Sequence, residues 1–292
     1  MKNLLVVEGN TAQSRALHAR VGGTIASDGY AQLLRQLCPG ANVHIVFPAD
    51  ADAQLPDGIN LGDFDGAVMT GSALHVAQAT PEVIRQIDLA RAMLKTNIPV
   101  FGSCWGLQIL TVASGGTVRK NPRGRELGFG RNIMRTQLGL AHAMYEGKSP
   151  AFTAVTVHLD EVETLPASAS LLASNESSHV QALDFGRPVP VWGVQYHPEY
   201  PLREIAAIMR RTPTLVAEGF FHTEAEKESC ARDFDQLDRN PDDRALAWRM
   251  GANADVLDAD SRTREIANWI AHGVLPFATR RAAASLNPAT ML

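Results

Sequence analysis

Apolar residues over the first two-thirds of the chain fall into short runs separated by stretches of helical spacing. Leu4–Val7, Val43–Phe47, Gly66–Met69 and Ile98–Phe101 are short enough to be buried strands. Between and after them, Asp28–Leu37, Pro81–Lys95 and Trp105–Ala113 repeat apolar residues at the spacing of one helix face. Thr80 suits a helix cap and Pro81 a first helical position. This alternation predicts an α/β fold of three layers, a mostly parallel central sheet flanked by helices. Beyond Gly116 the pattern changes. Thr117–Arg119, Arg131–Arg135, Ala154–Val157, Leu171–Ser174, Val180–Leu183 and Val191–Gln195 read as short strands with turn residues between them. They predict added antiparallel strands at one edge and one returning central strand. Pro201 then opens a helix, Leu202–Arg211, and Asn121 to Gly130 reads as a mobile loop over the site described below.

After Arg211 the composition becomes charged. Glu218–Arg239, Pro241–Met250 and Ser261–His272 read as helices, anchored by Leu246, Trp248, Ile266, Trp269 and Ile270. Arg280 to Leu292 is expected to fray. The division drawn is residues 1–211 as the main domain and 212–292 as a helical C-terminal extension. The extension is expected to pack on the core, the other reading being a surface for an oligomer or partner.

Composition narrows the function classes. With 45% apolar residues in 292, a sizeable core is expected. A formal net charge of −4 with no long basic run gives no electrostatic case for nucleic acid. No stretch approaches the ~20 apolar residues of a membrane span, and Leu4-Leu5-Val6-Val7 is too short and too lightly flanked for a signal peptide. Cys38, Cys104 and Cys230 form neither a metal spacing nor a disulfide framework. The expectation is a reduced, cytoplasmic setting with no membrane partner, no metal and no cofactor.

The candidate chemistry lies where a strand meets a helix. Gly102-Ser103-Cys104-Trp105-Gly106 puts Cys104 on a tight turn between two glycines, in the place Ser takes in a G-x-S-x-G nucleophile elbow. The start of the following helix offers free N–H groups and partial positive charge, which favour thiolate over thiol. Alone, this short pattern fits a buried inert cysteine equally well. A second stretch tips the balance: the strand-like run ending at Tyr196 leads into His197-Pro198-Glu199. A thiol nucleophile needs a base, and the base needs an orienting acceptor. His197 and Glu199 supply both, two residues apart and stiffened by Pro198. His75, His142 and His179 have no partners at ligand spacing and read as surface or satisfied histidines.

Together, Gly102 to Gln108 and Gly193-Val194-Gln195-Tyr196-His197-Pro198-Glu199 resemble the class I (triad) glutamine amidotransferases. Thr156 to Val162, with Leu165-Pro166 and Leu172-Ala173-Ser174, is similar to the amidotransferase domain of GMP synthetase. The resemblance covers about Asn3 to Arg211. It implies a flavodoxin-like amidotransferase fold and a Cys104–His197–Glu199 triad. It also implies an oxyanion hole from the backbone N–H groups of Gly71 and Trp105, and substrate contacts from Gln108 and the main chain around His158 and Leu159. Thr70-Gly71-Ser72-Ala73 departs from the family's usual S-G-G-P, which puts the loop shape in question more than the Gly71 donor. The implied activity is hydrolysis of the glutamine γ-amide through a γ-glutamyl thioester, with ammonia passed to a separate acceptor enzyme. No S-G-G-x-D-S loop or Walker loop is present, and roughly 80 residues after Arg211 are too few for a synthetase. The chain thus reads as a stand-alone glutaminase, with glutamine as its substrate and a separate synthetase subunit for a possible partner. Two alternatives stand beside it: a γ-glutamyl hydrolase or peptidase acting on another γ-glutamyl amide, and a non-enzymatic regulatory module. Oligomeric state, including a homo-oligomer, is left open.

Overall fold

The computed structural model describes residues 2–52, 55 and 58–286. The chain opens with β1 (Asn3–Val7), α1 (Ala12–Arg20), α2 (Ala26–Leu37), β2 (Asn42–Val46) and β3 (Gly66–Met69). Next come α3 (Pro81–Thr96), β4 (Val100–Ser103) and α4 (Trp105–Ala113). The second part runs through β5 (Thr117–Lys120), β6 (Glu126–Arg135), α5 (Gln137–Ala141), β7 (Ala151–His158) and β8 (Asp160–Thr164). It ends with β9 (Ser170–Ser174), β10 (Ala182–Asp184), β11 (Val191–Val194) and α6 (Leu202–Arg211). The extension holds α7 (Glu224–Arg239), α8 (Arg244–Met250), α9 (Ala254–Leu257), α10 (Ala259–Arg262), α11 (Arg264–Trp269) and α12 (Leu275–Leu286), with a π-helical turn over Ile270–Val274.

The main sheet has the order β2-β1-β3-β4-β11-β10-β9-β6-β7. β2, β1, β3, β4 and β11 run parallel, and β10, β9, β6 and β7 extend the sheet antiparallel from β11. The α/β class, the parallel centre, the antiparallel edge and the returning strand are as the sequence predicts. β5 and β8 form a separate two-stranded ribbon.

Side chains alternate across the strands, so each face of the sheet carries its own core. On one face Leu4, Val6, Val68, Phe101 and Val194 pack with Tyr30 and Leu34 of α2 and with Ile266, Trp269, Ile270 and Val274 of the extension. On the other, Leu5, Val7, Met69 and Val100 pack with Val83, Ala90 and Met93 of α3 and Leu107 and Leu110 of α4. A third cluster joins Leu202, Ile205 and Met209 of α6 to Phe234, Leu237, Leu246 and Val256 over Val155. The extension thus supplies part of one helical layer. Gly66 leaves room for it: a Cβ there would stand 2.9 Å from Val274 Cγ2 and 3.0 Å from Trp269 Cη2.

Several expectations need correction. Asn121 to Gly130 is no loop throughout: from Glu126 it is β6, paired with β7, with an irregularity between Gly130 and Ile133. Asn132 sits there at φ 50°. Trp248 is not an anchor but 87% exposed on α8, while Leu246 beside it is buried. The charged helix begins at Glu224, capped by Thr223, rather than at Glu218. Ser261–His272 is broken at Thr263, between α10 and α11. The chain stays helical to Leu286, and the remainder of the segment expected to fray lies outside the described residues. Among the described residues no helix is long and apolar enough to cross a membrane.

Candidate active site

Cys104 stands at the carboxyl end of β4, between the parallel neighbours β3 and β11, and α/β sheets gather their sites at such strand ends. It is the N-cap of α4 and holds φ 50°, ψ −99°, a strained conformation for a residue with a Cβ. Its amide donates to Val194 O at 2.7 Å, tying the elbow to β11. Gly106 permits the turn: a Cβ there would lie 2.4 Å from Met69 O. The sulfur points at Val157 O, 3.5 Å away.

β11 runs beside β4 in parallel register, Val194 opposite Ser103. The chain leaving β11 therefore delivers His197 next to the elbow. His197 Nδ1 and Glu199 Oε1 lie 2.7 Å apart, and both side chains are 2% exposed. Burial alone would pull this imidazole down. The Glu199 carboxylate and then the Cys104 sulfur outweigh it and push His197 up to about 10. With Nδ1 taken by Glu199, Nε2 is the nitrogen left to serve the thiol. Tyr200 lies flat against the imidazole, centroids 4.0 Å apart and planes within 3°.

The turn after β3 closes on the same ring. A Cβ on Gly71 would stand 2.5 Å from His197 Cε1. Asn10, just past β1, fixes this turn: its Nδ2 donates to Gly71 O at 3.2 Å and its Oδ1 accepts from Ala73 N at 3.1 Å. Glu8, fully buried, orients Asn10 through bonds from its amide and its side chain, each 2.9 Å. Trp105 opens α4, so its N–H has no carbonyl within the helix to serve. Its indole donates to Gln86 Oε1 at 2.7 Å, and Gln86 Nε2 in turn reaches Gly9 O.

A cavity of about 280 Å³ opens over Cys104 and His197. Gln108, His158 and Leu159 line it, as do Asn10, Ser14, His75, Arg125, Asp160, Tyr200 and Arg211. Gly71 and Trp105 lie beside it rather than in its wall. Gln108 spends both amide donors within the protein, on Asp160 O (3.0 Å) and Gln195 Oε1 (3.2 Å). A contact from it to a ligand therefore falls to its Oε1. The His158 ring is fully used, Nε2 with Glu126 Oε2 at 2.9 Å and Nδ1 with Asp160 O at 3.0 Å, which leaves that position its main chain. His75 and His142 prove to be partnered, by Asp160 and Asp184, and His179 is exposed.

Sequence reasoning missed Asn10, Tyr200 and Arg211. Asn10 had a usable signal in its position just past the first parallel strand. Tyr200 follows the His-Pro-Glu motif directly. Arg211 offered none, since it closes an ordinary amphipathic helix.

Cys104, His197 and Glu199 thus gather at the carboxyl ends of the parallel strands of an α/β sheet, beside one cavity. Residues 28–212 match the family model for glutamine amidotransferase class-I, and the chain belongs to that family of enzymes. It is 31% identical to a Pseudomonas gamma-glutamyl-L-1-hydroxyisopropylamide hydrolase over 284 residues, 95% of each chain. It is 30% identical over 138 residues to one subunit of the glutamine-hydrolyzing GMP synthase of Ignicoccus hospitalis, covering 47% of this chain and 68% of that one. In fold it resembles a glutamine amidotransferase from Methylobacillus flagellatus (TM-score 0.64, 18% identity, 94% of this chain and 96% of the other).

Proposed function

We propose that this chain hydrolyses the amide bond of a γ-glutamyl amide through a thioester on Cys104. The observation that carries the reading is the buried His197–Glu199 pair, whose imidazole is held at about 10 beside the Cys104 elbow. At neutral pH the proton sits on His197, ready for the leaving amine. In the first step Cys104 Sγ attacks the γ-carbonyl carbon. The C–N bond breaks as His197 gives its proton to the departing nitrogen, leaving a γ-glutamyl thioester and a free amine. Water then gives a proton to His197 and attacks the thioester, and glutamate and thiolate separate with the proton back on His197. The N–H groups of Gly71 and Trp105 face the developing oxyanion in each step; such donors commonly contribute about 3–4 kcal/mol each.

The similarity to the Pseudomonas hydrolase runs through the C-terminal extension as well as the amidotransferase core, which favours a γ-glutamyl amide with a small organic amine as leaving group. A second reading is favoured by the similarity to the Ignicoccus GMP synthase chain: glutamine as substrate, with the ammonia consumed by a separate synthetase subunit. The two separate on one measurement, kcat/KM for amine release from γ-glutamyl alkylamides against ammonia release from glutamine. A preference for alkylamides of tenfold or more supports the hydrolase. A preference for glutamine supports the glutaminase, and no turnover of either class by wild-type protein refutes both.

A further inference from the structure

Of the charged groups around the catalytic cavity, all but Arg211 are partnered within the protein, His158 among them by Glu126. His197 is held by Glu199, Asp160 by His75 at 2.9 Å, and Arg125 by Glu218 at 2.8 and 3.1 Å. Arg211 is different. It closes α6 and lines the cavity from the side of Ser14, Tyr200 and Thr212. Among the described residues its guanidinium makes no ion pair, and its hydrogen bonding amounts to one long contact, Nη1 to Ser14 Oγ at 3.5 Å. Arg210, next to it, pairs with both Glu228 and Asp235. The carboxylates in electrostatic range of Arg211 are Glu8 and Glu204. Both are committed elsewhere, Glu8 to Asn10 and the amide of Ser27, Glu204 to His18 and the amide of Thr24. Burial pulls the Arg211 guanidinium below its ordinary value, against the pull of Tyr200, Glu204 and Glu8. Arg211 is half-buried, and a guanidinium partly drawn out of water without a partner carries a cost, while its planar fork matches a carboxylate.

We propose that Arg211 binds a carboxylate of the substrate in the Cys104 cavity and so selects for γ-glutamyl compounds that carry one in reach. This rests on the γ-glutamyl hydrolase reading for the identity of the substrate. Two carboxylates have the required chemistry: the α-carboxylate of the glutamyl group, and a carboxylate on the departing amine, as in a γ-glutamyl amino acid.

The first test needs no turnover. Cys104 alkylation rates are measured with iodoacetate and with neutral iodoacetamide, in the wild type, Arg211→Gln and Arg211→Lys. The ratio of iodoacetate to iodoacetamide rates should fall about tenfold in Arg211→Gln, the scale of a lost charge-assisted hydrogen bond, and recover in part in Arg211→Lys. An unchanged ratio overturns the proposal. Failure of the hydrolase reading would appear separately, as wild-type protein that alkylates normally but turns over no γ-glutamyl amide. The second test assigns the carboxylate, by comparing γ-glutamyl methylamide, γ-glutamylglycine and 4-aminobutanoyl methylamide, which lacks the α-carboxylate. A fall in kcat/KM of about 10- to 100-fold in Arg211→Gln, carried mainly by KM, is expected. If γ-glutamylglycine alone is affected, the carboxylate belongs to the leaving amine. If both γ-glutamyl substrates are affected, it is the α-carboxylate. An equal fall on all three overturns the proposal, because the third has no carboxylate to bind.

Discussion

Replacing Glu199 by Gln keeps a hydrogen-bond acceptor beside His197 Nδ1, at a separation of 2.7 Å in the native pair, while removing the charge. That charge is the largest of the influences raising the imidazole, which stands at about 10 against an ordinary 6.5. Burial acts in the opposite direction and is unaffected by the substitution. The sign is therefore fixed: without Glu199, His197 must lose its proton at lower pH. An opposite charge at this distance is generally worth about 1–3 pH units, and the remaining elevation comes from the Cys104 sulfur and, less, from the hydrogen bond at Nδ1. The alkaline limb of kcat/KM reports the free enzyme, and here it follows loss of the His197 proton. In the wild type it should fall near pH 10, and in Glu199→Gln about 1–3 units lower. At neutral pH kcat/KM should drop by about 10²–10⁴, less than in His197→Ala, because the orienting member of a triad is usually the least costly to remove. The assay is a pH profile of amine release from the best γ-glutamyl amide, with circular dichroism to confirm the fold. A variant slower at every pH but with its alkaline limb unmoved would show that Glu199 does not hold the proton on His197.

Other perturbations test the rest of the site. Mild alkylation at neutral pH should label Cys104 first, because it lines the cavity while burial raises the thiols of Cys38 and Cys230; mass mapping that found Cys230 labelled first would contradict this. Gly71→Ala should cut kcat at least about tenfold while leaving the melting temperature near wild type, since its methyl group would meet His197 Cε1 at 2.5 Å; unchanged turnover would show that this turn does not set the imidazole. Tyr200→Leu should lose about 0.5–2 kcal/mol of support for the imidazolium, read as a lower alkaline limb, while Tyr200→Phe retains it; equal profiles for the two variants would remove the stack from the account. Trp269→Ala should destabilise the whole protein by about 3–5 kcal/mol, because this side chain is fully buried against the sheet; a loss under about 1 kcal/mol in urea unfolding, well short of that range, would mean that the extension is not part of the core.

Much of this was legible in the sequence because the informative groups are close together in it. The elbow is a run of five residues, and His197 and Glu199 are two apart, so local geometry nearly suffices to pair them. The parallel strands announced themselves as apolar runs because both of their faces are covered. What escaped notice depends on contacts between distant positions. α1 buries only His18, so it presents no apolar stripe to reveal it. Asp160 meets His75 across 85 positions, and Glu204 meets His18 across 186. Arg131–Arg135, the second half of β6, reads as a strand, but its first half, Glu126–Gly130, hid behind glycines, since a strand interrupted by an irregularity lacks a clean alternation. Trp248 misled for the opposite reason. It is as apolar as Trp269, and only tertiary packing leaves one exposed and buries the other.

The extension bears on the site through one buried network. Glu265 of α11, fully buried, accepts from Tyr196 OH at 2.7 Å and from Lys148 Nζ at 2.6 Å, and Tyr196 also meets Tyr145 OH at 2.9 Å. Tyr196 immediately precedes His197, so the residue before His197 is held by the extension. Such an ion pair repays its desolvation only when its geometry is good and its remaining atoms are satisfied, so it is weak evidence for stability. Its physical effect is positional. Lys148 and Glu265 are 5% and 0% exposed, and taking away either one strands a charge out of water. The segment after β11 that carries Tyr196 and His197 therefore cannot shift, nor can α11 peel off, without that cost. The proposed reaction requires His197 to meet a sulfur held at a strained φ of 50°, which tolerates little drift. Anchoring the segment that leaves β11 is how a helical extension with none of the three residues would share in keeping the proposed Cys104–His197–Glu199 triad in register.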